Sequence, residues 1–213
     1  MKTSDKIALS ALRLFNEKGE RNVTTNHIAA NLAISPGNLY YHFKNKEAII
    51  RVIFESYSLE LLEGFKPTFD AGEDTLVILK RYLDRIFTLM WKYRFFYANL
   101  PQILQRDKVL HEQYLDVQKR SKVNLNTIFN SFIQRKILNI TEKEVEPLVT
   151  SLHLIIFSWL SYQLSMSLNP AITEKNIYQG VLQMITIIKP YSTPLGERQL
   201  RQLESDIHSF NLI

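Results

Sequence analysis

Cysteine is absent from all 213 residues, which excludes disulfide bonds, thiolate zinc sites and cysteine nucleophiles. This absence fits a reducing compartment, and we expect a cytoplasmic protein. Glycine is scarce as well, and the six glycines are too dispersed to form either common phosphate-binding loop. No two histidines have metal-ligand spacing, and no Gly-x-Ser-x-Gly elbow is present. The sequence therefore predicts no enzyme, no cofactor and no metal site.

Long apolar runs are missing from the first thirty residues, where Arg13, Glu17 and Lys18 interrupt the pattern. We therefore expect no signal peptide. The chain as a whole is 46% hydrophobic and 22% charged, which is ordinary for a globular protein and excludes wholesale disorder. A chain of this length can bury one sizeable core, or one core and a small satellite domain.

The positive charge is concentrated at the start of the chain. Residues 1–51 carry eight basic and four acidic groups, whereas the remaining 162 residues carry 18 basic and 17 acidic groups. Of the net charge of +5, the first quarter of the chain thus holds +4. This asymmetry indicates a basic N-terminal module joined to a near-neutral body, and a polyanionic partner for the module.

Apolar residues recur with a helical period, and no convincing alternating strand pattern is present. Ile7, Ala11, Leu14 and Phe15 follow the i, i+4, i+7, i+8 spacing of one helix face. Glycine and proline cluster at the predicted breaks, which include Gly19, Pro36-Gly37, Gly64 to Gly72, Pro101, Pro147, Pro170 and Pro190 to Gly196. We predict an all-α protein.

Three helices are predicted before residue 46, over about 3–18, 24–32 and 35–43. Thr24 and Ser35 are good N-cap residues, and Pro36 follows Ser35 at the first helical position, where proline is favoured. The last two helices are short and joined by a tight turn. Such a pair forms a helix-turn-helix, whose second helix can enter the major groove of DNA.

The second of these short helices has two different faces. Leu39 and Phe43 lie four residues apart and align with the core. Four residues are predicted to point away from the core, namely Pro36, Gly37, Tyr40 and Tyr41, with Asn38 and His42 flanking them. Tyr, His and Asn side chains can donate hydrogen bonds to phosphate without adding charge, and Gly37 removes a side chain where the backbone would approach a base. Lys46 adds a positive charge beside the free amides of the next helix.

These residues resemble the DNA-binding signature of tetracycline-repressor (TetR) family regulators. The resemblance is carried by Thr24-Thr25-Asn26-His27-Ile28-Ala29 and by Ser35-Pro36-Gly37-Asn38-Leu39-Tyr40-Tyr41-His42-Phe43-Lys44-Asn45-Lys46-Glu47. It implies that Gly37 and Tyr40 approach bases beside Pro36, that Tyr41, His42 and Lys46 hold phosphates, and that Thr24 and Thr25 meet the DNA backbone. The residues predicted to contact double-stranded DNA are then Thr24, Thr25, Asn26, Ser35, Pro36, Gly37, Asn38, Tyr40, Tyr41, His42, Lys44 and Lys46.

Three positions depart from the family pattern. Ala33 stands where the turn usually has glycine, and a left-handed conformation there costs about 1 kcal/mol. His27 replaces a common acidic capping residue, and Asn26 replaces a common basic one. The departures affect the second helix and leave the third unchanged.

The body is predicted to contain helices over about 46–65, 73–100, 107–138, 141–168 and 173–189, and a last one from Pro194 to near Phe210. No formal charge occurs between Pro147 and Thr173, a length that also fits a membrane span. The many serines in this stretch favour a helix buried on two sides instead.

We expect one face of this uncharged helix to pack on the core of its own chain through Leu148, Leu152, Ile155, Trp159 and Met166. A strip of small residues on the other face, Ser151, Ser158, Ser161 and Ser165, permits close approach of another helix. We predict that this helix and the one over 173–189 form a twofold four-helix dimer interface.

Aromatic residues are dense between Tyr82 and Tyr114, and by the family resemblance some of them line a cavity for a small effector. The candidates are Trp91, Phe95, Tyr114, Phe157 and Tyr162, with Arg94 or Gln102 as a polar anchor. For each of these residues a plain aromatic core is the alternative.

We expect a homodimeric DNA-binding regulator of transcription, a repressor that leaves a palindromic operator when a small molecule binds the body. Residues 1–46 would form the helix-turn-helix domain, and residues 47–213 the effector-binding and dimerisation domain. An alternative is a helical small-ligand-binding or protein-interaction protein without DNA-binding activity. A membrane-associated protein that uses the uncharged helix is a third hypothesis.

Overall fold

A computed structural model describes residues 1–69, 72–168 and 171–210, which form ten α-helices and no β-strand. The all-α prediction is confirmed. The helices are α1 (Thr3–Lys18), α2 (Thr25–Asn31), α3 (Pro36–His42), α4 (Lys46–Gly64), α5 (Thr75–Lys92), α6 (Arg94–Arg106), α7 (Lys108–Gln134), α8 (Glu142–Ser165), α9 (Glu174–Ile188) and α10 (Pro194–Phe210), with two short 3₁₀ helices at Glu20–Asn22 and Lys189–Tyr191.

The first three helices form the N-terminal module, and α2 and α3 begin at the capping residues predicted from the sequence, Thr24 and Ser35, whereas the residue that caps α1 is Lys2. The Thr24 hydroxyl accepts a hydrogen bond from the His27 amide at 3.3 Å, and the Ser35 hydroxyl accepts one from the Asn38 amide at 3.2 Å. These bonds satisfy amide groups that have no partner inside their own helix. The predicted inner face of α1 is buried, namely Ile7, Ala11, Leu14 and Phe15.

Helix α4 joins the N-terminal module to the body, which comprises α4 to α10. Its first half packs on α1, and it also contacts α5 and α7. Ile49, Ile53 and Tyr57 are buried along it and belong to one apolar core that runs from the module into the body. The domain boundary predicted between residues 46 and 47 coincides with the start of α4 and stays a prediction.

The prediction of a single helix over residues 73–100 is wrong, because the helix is interrupted at Tyr93, which separates α5 from α6. The break is stabilised from a distance by Asn16 of α1. Its side-chain amide donates to the Lys92 carbonyl at 2.8 Å, and its carbonyl oxygen accepts from the Phe95 amide at 3.1 Å. One side chain thus satisfies a backbone group on each side of the break, and no local sequence signal marks this position.

Two prolines that were predicted as breaks lie inside helices. Pro101 is within α6, where Asn99 has non-helical angles (φ −135°, ψ 17°) and forms a kink two residues earlier. Pro147 is near the start of α8. The helix predicted over 107–138 ends earlier, at Gln134, and Lys136 follows with a left-handed φ of 56°.

Helix α8 packs on α6, α7 and α9, and its predicted core face is largely correct. Leu148 and Leu152 are buried, and Ile155 and Trp159 are half-buried against the core. The prediction for Met166 is wrong, because the helix ends at Ser165 and the Met166 side chain is 68% exposed.

By length and composition, α8 is the one helix of the described residues that could cross a membrane. Core helices of soluble proteins meet the same criteria. Only 22% of the residues in its most apolar 18-residue segment are fully buried within the chain. A large part of this apolar helix is therefore not covered by the rest of the chain.

Candidate nucleic-acid interface and internal cavity

The turn between α2 and α3 fixes the two short helices against each other. Ala33 adopts the left-handed conformation (φ 53°) that the sequence predicted, and the Ile34 amide closes the turn on the Ala29 carbonyl at 3.1 Å. His27 takes the place of the missing acidic cap, because its Nδ1 accepts from the Thr24 amide at 3.3 Å. Local bonds therefore hold both ends of α2, the first through Thr24 and His27 and the second through the turn.

Helix α3 presents an exposed polar and aromatic face. Leu39 and Phe43 are buried as predicted. The four residues predicted to point outward, Pro36, Gly37, Tyr40 and Tyr41, are exposed, and so are the flanking residues Asn38 and His42. The Tyr41 side chain is 86% exposed, with its ring edge-on to that of His42. An exposed aromatic surface of this kind has no role in packing within the chain.

Gly37 is not required by the fold. Its φ is not left-handed, and a Cβ built there would meet only the Ser35 hydroxyl at 3.9 Å. The missing side chain therefore leaves space for something outside the chain to approach the backbone of α3.

Tyr40 is held in place by α2. Its hydroxyl and the Thr25 hydroxyl lie 3.0 Å apart and form a hydrogen bond in which either can donate. Thr25 is half-buried, and the other predicted contact residues at the ends of α2 and α3 are exposed, namely Thr24, Asn26, Ser35 and Lys44. Within this set the structure shows direct contact between Thr25 and Tyr40, and the shared DNA-binding surface stays a prediction.

Lys46 has a different environment from the other predicted contact residues. Its ammonium lies 2.8 Å from Glu20 Oε1 and donates to the carbonyls of Glu20 and Val23 at 3.0 and 3.1 Å. With three protein acceptors already present, the phosphate contact predicted for Lys46 would compete with these bonds.

Glu20 is the centre of an ion cluster that the sequence did not indicate. Its side chain has 0% exposure, and Arg106 at the end of α6 donates to its Oε2 at 2.8 Å. Burial by itself would raise the pKa of Glu20, but hydrogen bonds and charges from Lys46 and Arg106 lower it below the ordinary 4.5. The cluster connects the N-terminal module, α4 and α6.

An apolar cavity of about 100 Å³ lies inside the body, and residues from α4 to α10 line it. Its wall is mainly aliphatic and aromatic, with Leu83, Ile86, Ile128, Phe132 and Ile185 as examples. Cavities of this kind are typical sites for small apolar molecules.

Of the five aromatic residues predicted for such a cavity, only Phe157 lines it. Phe95 packs on Phe15 of α1 at 5.2 Å between ring centroids, and Tyr162 is exposed. Tyr114 is half-buried between Phe54 and Phe157, outside the lining. The placements of Phe95 and Tyr114 agree with the alternative of an aromatic core, which the sequence could not separate from a cavity wall, whereas Tyr162 belongs to neither.

The predicted polar anchors lie elsewhere too. Arg94 stacks on the Trp91 ring, with its guanidinium carbon 4.1 Å from the centroid, and donates to the Trp91 carbonyl at 2.9 Å. Gln102 is exposed on α6. Neither is among the residues that line the cavity, and neither is Trp91.

A small set of uncharged polar groups lines the cavity instead. Gln118 and Ser121 lie about one turn apart on α7, and His153 of α8 joins them. Burial lowers the pKa of His153, and Lys122 lowers it further, which favours neutral imidazole. Sequence reasoning missed Gln118 and Ser121, although polar residues on the apolar stripe of a helix are a signal for such a site.

Two buried tyrosines complete the polar part of the wall. The hydroxyls of Tyr57 and Tyr97 are 3.2 Å apart and hydrogen-bonded. Burial, foremost among several causes, raises the pKa of both, so they stay protonated. The cavity therefore contains hydrogen-bonding groups without charge.

The serine strip predicted for the dimer interface lies on the outward side of α8. Ser158, Ser161 and Ser165 are exposed and Ser151 is half-buried, with Leu154 between them at 64% exposure. Several of the hydroxyls are satisfied within the chain: Ser151 donates to the Pro147 carbonyl at 3.0 Å, and Ser165 to the Tyr162 carbonyl at 2.7 Å. Such serines present a surface with few unmet polar groups.

Ser161 has an additional contact with α6. Its hydroxyl lies 3.3 Å from the Ala98 carbonyl, so the small side chain lets α6 and α8 approach within one chain. In the part of the chain that the structure describes, no three His, Asp or Glu side chains are grouped so as to hold a metal ion.

Two family models match this chain. The model described as bacterial regulatory proteins of the tetR family matches residues 7–53, which include α2 and α3. The model named TetR and described as a bacterial transcriptional repressor matches residues 56–200, about two thirds of the chain.

Several named relatives match over shorter stretches. The HTH-type transcriptional regulator SAB2452 of Staphylococcus aureus is 32% identical over 74 residues, which cover 35% of this chain and 40% of that protein. IcaR of Staphylococcus epidermidis, a negative regulator of the biofilm operon icaADBC, is 42% identical over 52 residues (24% and 28%). UidR of Escherichia coli K12 is 41% identical over 68 residues (32% and 35%). The matches thus span less than half the length of these relatives.

Solved structures match over nearly the whole chain. A TetR-family transcriptional regulator from Marinobacter aquaeolei VT8 is 38% identical, with a TM-score of 0.85 over 97% of this chain and 99% of that chain. SmeT, solved as a complex with triclosan, is 15% identical, with a TM-score of 0.59 over 90% and 92%. At that identity the likeness to SmeT concerns the fold alone.

Proposed function

The chain belongs to the TetR family of bacterial transcriptional regulators, which bind DNA, and on that premise we propose that it acts as a homodimeric repressor. It would bind a palindromic operator through α3 and leave it when a small molecule enters the cavity of the body. A regulator of bacterial operator DNA acts in the cytoplasm, and its activity is regulatory rather than catalytic.

The exposed face of α3 is the observation that carries this proposal. Tyr41 and His42 are exposed without a packing role, and Gly37 leaves a gap that the fold does not need. Tyr40, fixed by its bond to Thr25, has an orientation suited to direct contact. We assign Gly37 and Tyr40 to bases and Tyr41 and His42 to phosphates, while Lys44 adds an exposed charge at the same edge.

The dimer follows from the size of this surface. One helix of seven residues offers too few contacts for specific binding, whereas two copies related by a twofold axis would contact successive major grooves, about 34 Å apart. The outward face of α8 supports such a pairing, because it leaves Leu154 and Tyr162 exposed on a helix without charge after Glu146.

Ligand response would use the two helices that connect the cavity to the N-terminal module. Helix α4 contributes Tyr57 to the cavity wall and begins at Lys46, which pairs with Glu20. Helix α6 contributes Tyr97 to the wall and ends at Arg106, which pairs with the same Glu20 carboxylate. A ligand would change operator affinity only in so far as it binds one spacing of the two α3 helices better than the other.

Selection of genomic DNA fragments from the source organism, followed by mobility shift in moderate salt, tests DNA binding. We expect one palindromic sequence to be enriched over competitor DNA. Tyr41→Ala should weaken binding about tenfold for every sequence, because it removes a phosphate contact. Tyr191→Ala, at an exposed tyrosine of the body, is the matched control and should bind as the wild type does.

Gly37→Ala separates DNA contact from folding. The added methyl group meets no close neighbour in the chain, so the protein should fold at least as stably. It would fill the space that we assign to DNA, and operator affinity should fall. If no palindrome is enriched, the DNA-binding proposal fails, and a ligand-binding protein without DNA-binding activity takes its place.

A further inference from the structure

We propose that the cavity selects a small, uncharged and mostly apolar molecule with a hydrogen-bond acceptor near one end, the chemistry of a ketone, ester or alcohol with a short alkyl chain. This inference rests on the proposed ligand-binding function of the body and specifies the ligand class. It is carried by the charges and polar groups of the wall and by the volume of the cavity.

The wall has no fixed charge to receive an ionised ligand. Among the described residues that line the cavity there is no Lys, Arg, Asp or Glu. The lining groups that could titrate are His153 and tyrosines, and burial favours the neutral form of each. Lys122, which influences His153, is paired with Glu146 at 2.5 Å outside the lining. A buried carboxylate or ammonium would therefore lose its hydration without gaining a counter-ion.

One polar group of the wall lacks a partner. Gln118 Nε2 is buried and donates to no acceptor among the described residues. A buried amide in this state is costly, and a ligand oxygen that accepts its hydrogen would remove the cost. The Tyr57–Tyr97 pair adds a second donor, because one hydroxyl donates to the other and the accepting hydroxyl keeps its own hydrogen.

The polar groups lie together at one end of the cavity. Gln118 and Ser121 begin the lining stretch of α7, which continues through apolar residues to Phe132. Phe157 joins the groups at this end, because its ring contacts those of Tyr97 and His153, at 5.7 and 5.9 Å between centroids. A ligand with an acceptor at one end and an alkyl chain beyond it matches this order.

The volume of the cavity favours a short molecule. It is about 100 Å³, less than the roughly 150 Å³ of an engineered apolar cavity that admits benzene. A ligand of about five carbon atoms therefore matches this volume better than a long alkyl chain or a ring system.

Four five-carbon probes test the ligand class on the full-length, DNA-free protein by calorimetry. Pentan-2-one has the acceptor, pentane lacks it, and pentanoate and pentylammonium carry charges of opposite sign. We expect pentan-2-one to bind about tenfold tighter than pentane and at least about 100-fold tighter than either ion. Ions that bind as well as the ketone, or no binding of the ketone up to its solubility, would overturn the proposal.

Gln118→Leu tests the assigned donor. It should remove the preference for pentan-2-one over pentane and leave pentane binding intact, a result that loss of folding would not produce. The matched control is Gln113→Leu on the same helix, whose side chain also has a buried unpartnered atom but does not line the cavity. The control should keep the wild-type preference, and a Gln118→Leu variant that keeps it too would contradict the assignment.

A mobility shift with the selected operator separates this inference from the proposed function. If pentan-2-one binds with the expected selectivity but does not release DNA, the ligand class stands and the response to ligand fails. If operator binding is absent while the probe selectivity holds, only the DNA-binding proposal fails.

Discussion

Glu20 shows how a single buried side chain can join parts of a molecule that are distant in sequence. Its carboxylate lies between Lys46 and Arg106, at 2.8 Å from each cation, and has no exposure to solvent. Both cations keep partial contact with water, so their desolvation is incomplete, while Glu20 depends on them entirely. The carboxylate is therefore stabilised in its ionised form only by the assembled fold.

Replacing this carboxylate tests its contribution to stability. We expect Glu20→Gln to lower the free energy of unfolding by about 2 kcal/mol at pH 7. This loss is smaller than that usual for a broken buried ion pair, because the two cations are partly exposed. Urea denaturation at fixed protein concentration measures the change. Glu17→Gln, at an exposed pair 3.8 Å from Arg13, is the control and should change stability by less than about 0.5 kcal/mol. Equal effects of the two variants would argue against a buried ion cluster.

Lowering the pH should remove the difference in unfolding free energy between the wild type and Glu20→Gln. The folded-state pKa of Glu20 lies below 4.5, so ionised Glu20 stabilises the folded state at any pH above its unfolded-state pKa. This stabilisation is lost as the pH falls through the folded-state pKa. The difference in unfolding free energy between wild type and Glu20→Gln should stay constant from pH 7 to about pH 5 and shrink below about pH 4. A difference that persists unchanged at pH 3 would contradict the lowered pKa.

At the scale of the element, the helices that begin at strong capping residues were predictable. Thr24 and Ser35 mark the starts of α2 and α3 because their side chains bond to backbone amides within three residues. The exposed face of α3 was predictable from apolar spacing, since Leu39 and Phe43, four residues apart, define the buried side of the helix. Local bonds and periodicity suffice for both.

Features that depend on distant contacts could not be predicted in this way. Gly196 was interpreted as part of a break, yet it lies inside α10, where a Cβ would come within 2.2 Å of the Ile137 carbonyl. The aromatic cluster around Phe95 gave no sign that its rings pack on α1 rather than on a cavity. The cavity lining comes from seven helices, and only the assembled body shows which faces meet.

The break between α5 and α6 is the clearest case of such a distant contact, and it can be tested. Asn16→Leu removes both bonds across the break and leaves the Phe95 amide without its acceptor. We expect unfolding free energy to fall by about 2 kcal/mol, because the side chain is half-buried and two backbone groups lose their partners. Urea denaturation measures this loss.

Asn22 provides the control for Asn16. Its side-chain amide bonds to the Lys18 carbonyl at 2.8 Å, a local contact near the end of α1. Asn22→Leu should therefore cost less, about 1 kcal/mol or below. If Asn16→Leu is no more destabilising than Asn22→Leu, the break is maintained by the packing around Tyr93 and not by the side chain of Asn16.

At the scale of the whole molecule, the N-terminal module and the body are joined at several places besides the packing of Phe15 on Phe95. Asn16 bonds across the start of α6, Glu20 pairs with the end of α6, and α4 carries the core continuously from one part to the other. A displacement of α6 would therefore move the module as well. These connections favour a ligand response in which the module and the body of one copy turn together. In the proposed dimer, the distance between the two α3 helices is then set by how the two bodies pair.

Pairing through α8 is the last prediction. Leu154 is 64% exposed in the middle of the serine strip, and Leu154→Glu would place one unpaired carboxylate from each copy in the interface. Such a burial should raise the dimer dissociation constant at least about 100-fold, because neither charge finds a counter-ion. In sedimentation at low micromolar concentration, the wild type should appear near twice 25.0 kDa and the variant near 25.0 kDa. Ser158→Glu should behave in the same way.

Leu59→Glu is the matched control, since Leu59 on α4 is 72% exposed and lies away from the strip. It should sediment as the wild type does. A monomeric Leu154→Glu protein keeps an intact α3 but can present only one copy to DNA, so its operator affinity should fall with its dimerisation while its unfolding transition is retained. If Leu154→Glu remains dimeric and binds the operator normally, the two bodies pair through another face, and the small side chains on α8 serve the contact with α6 that Ser161 already makes.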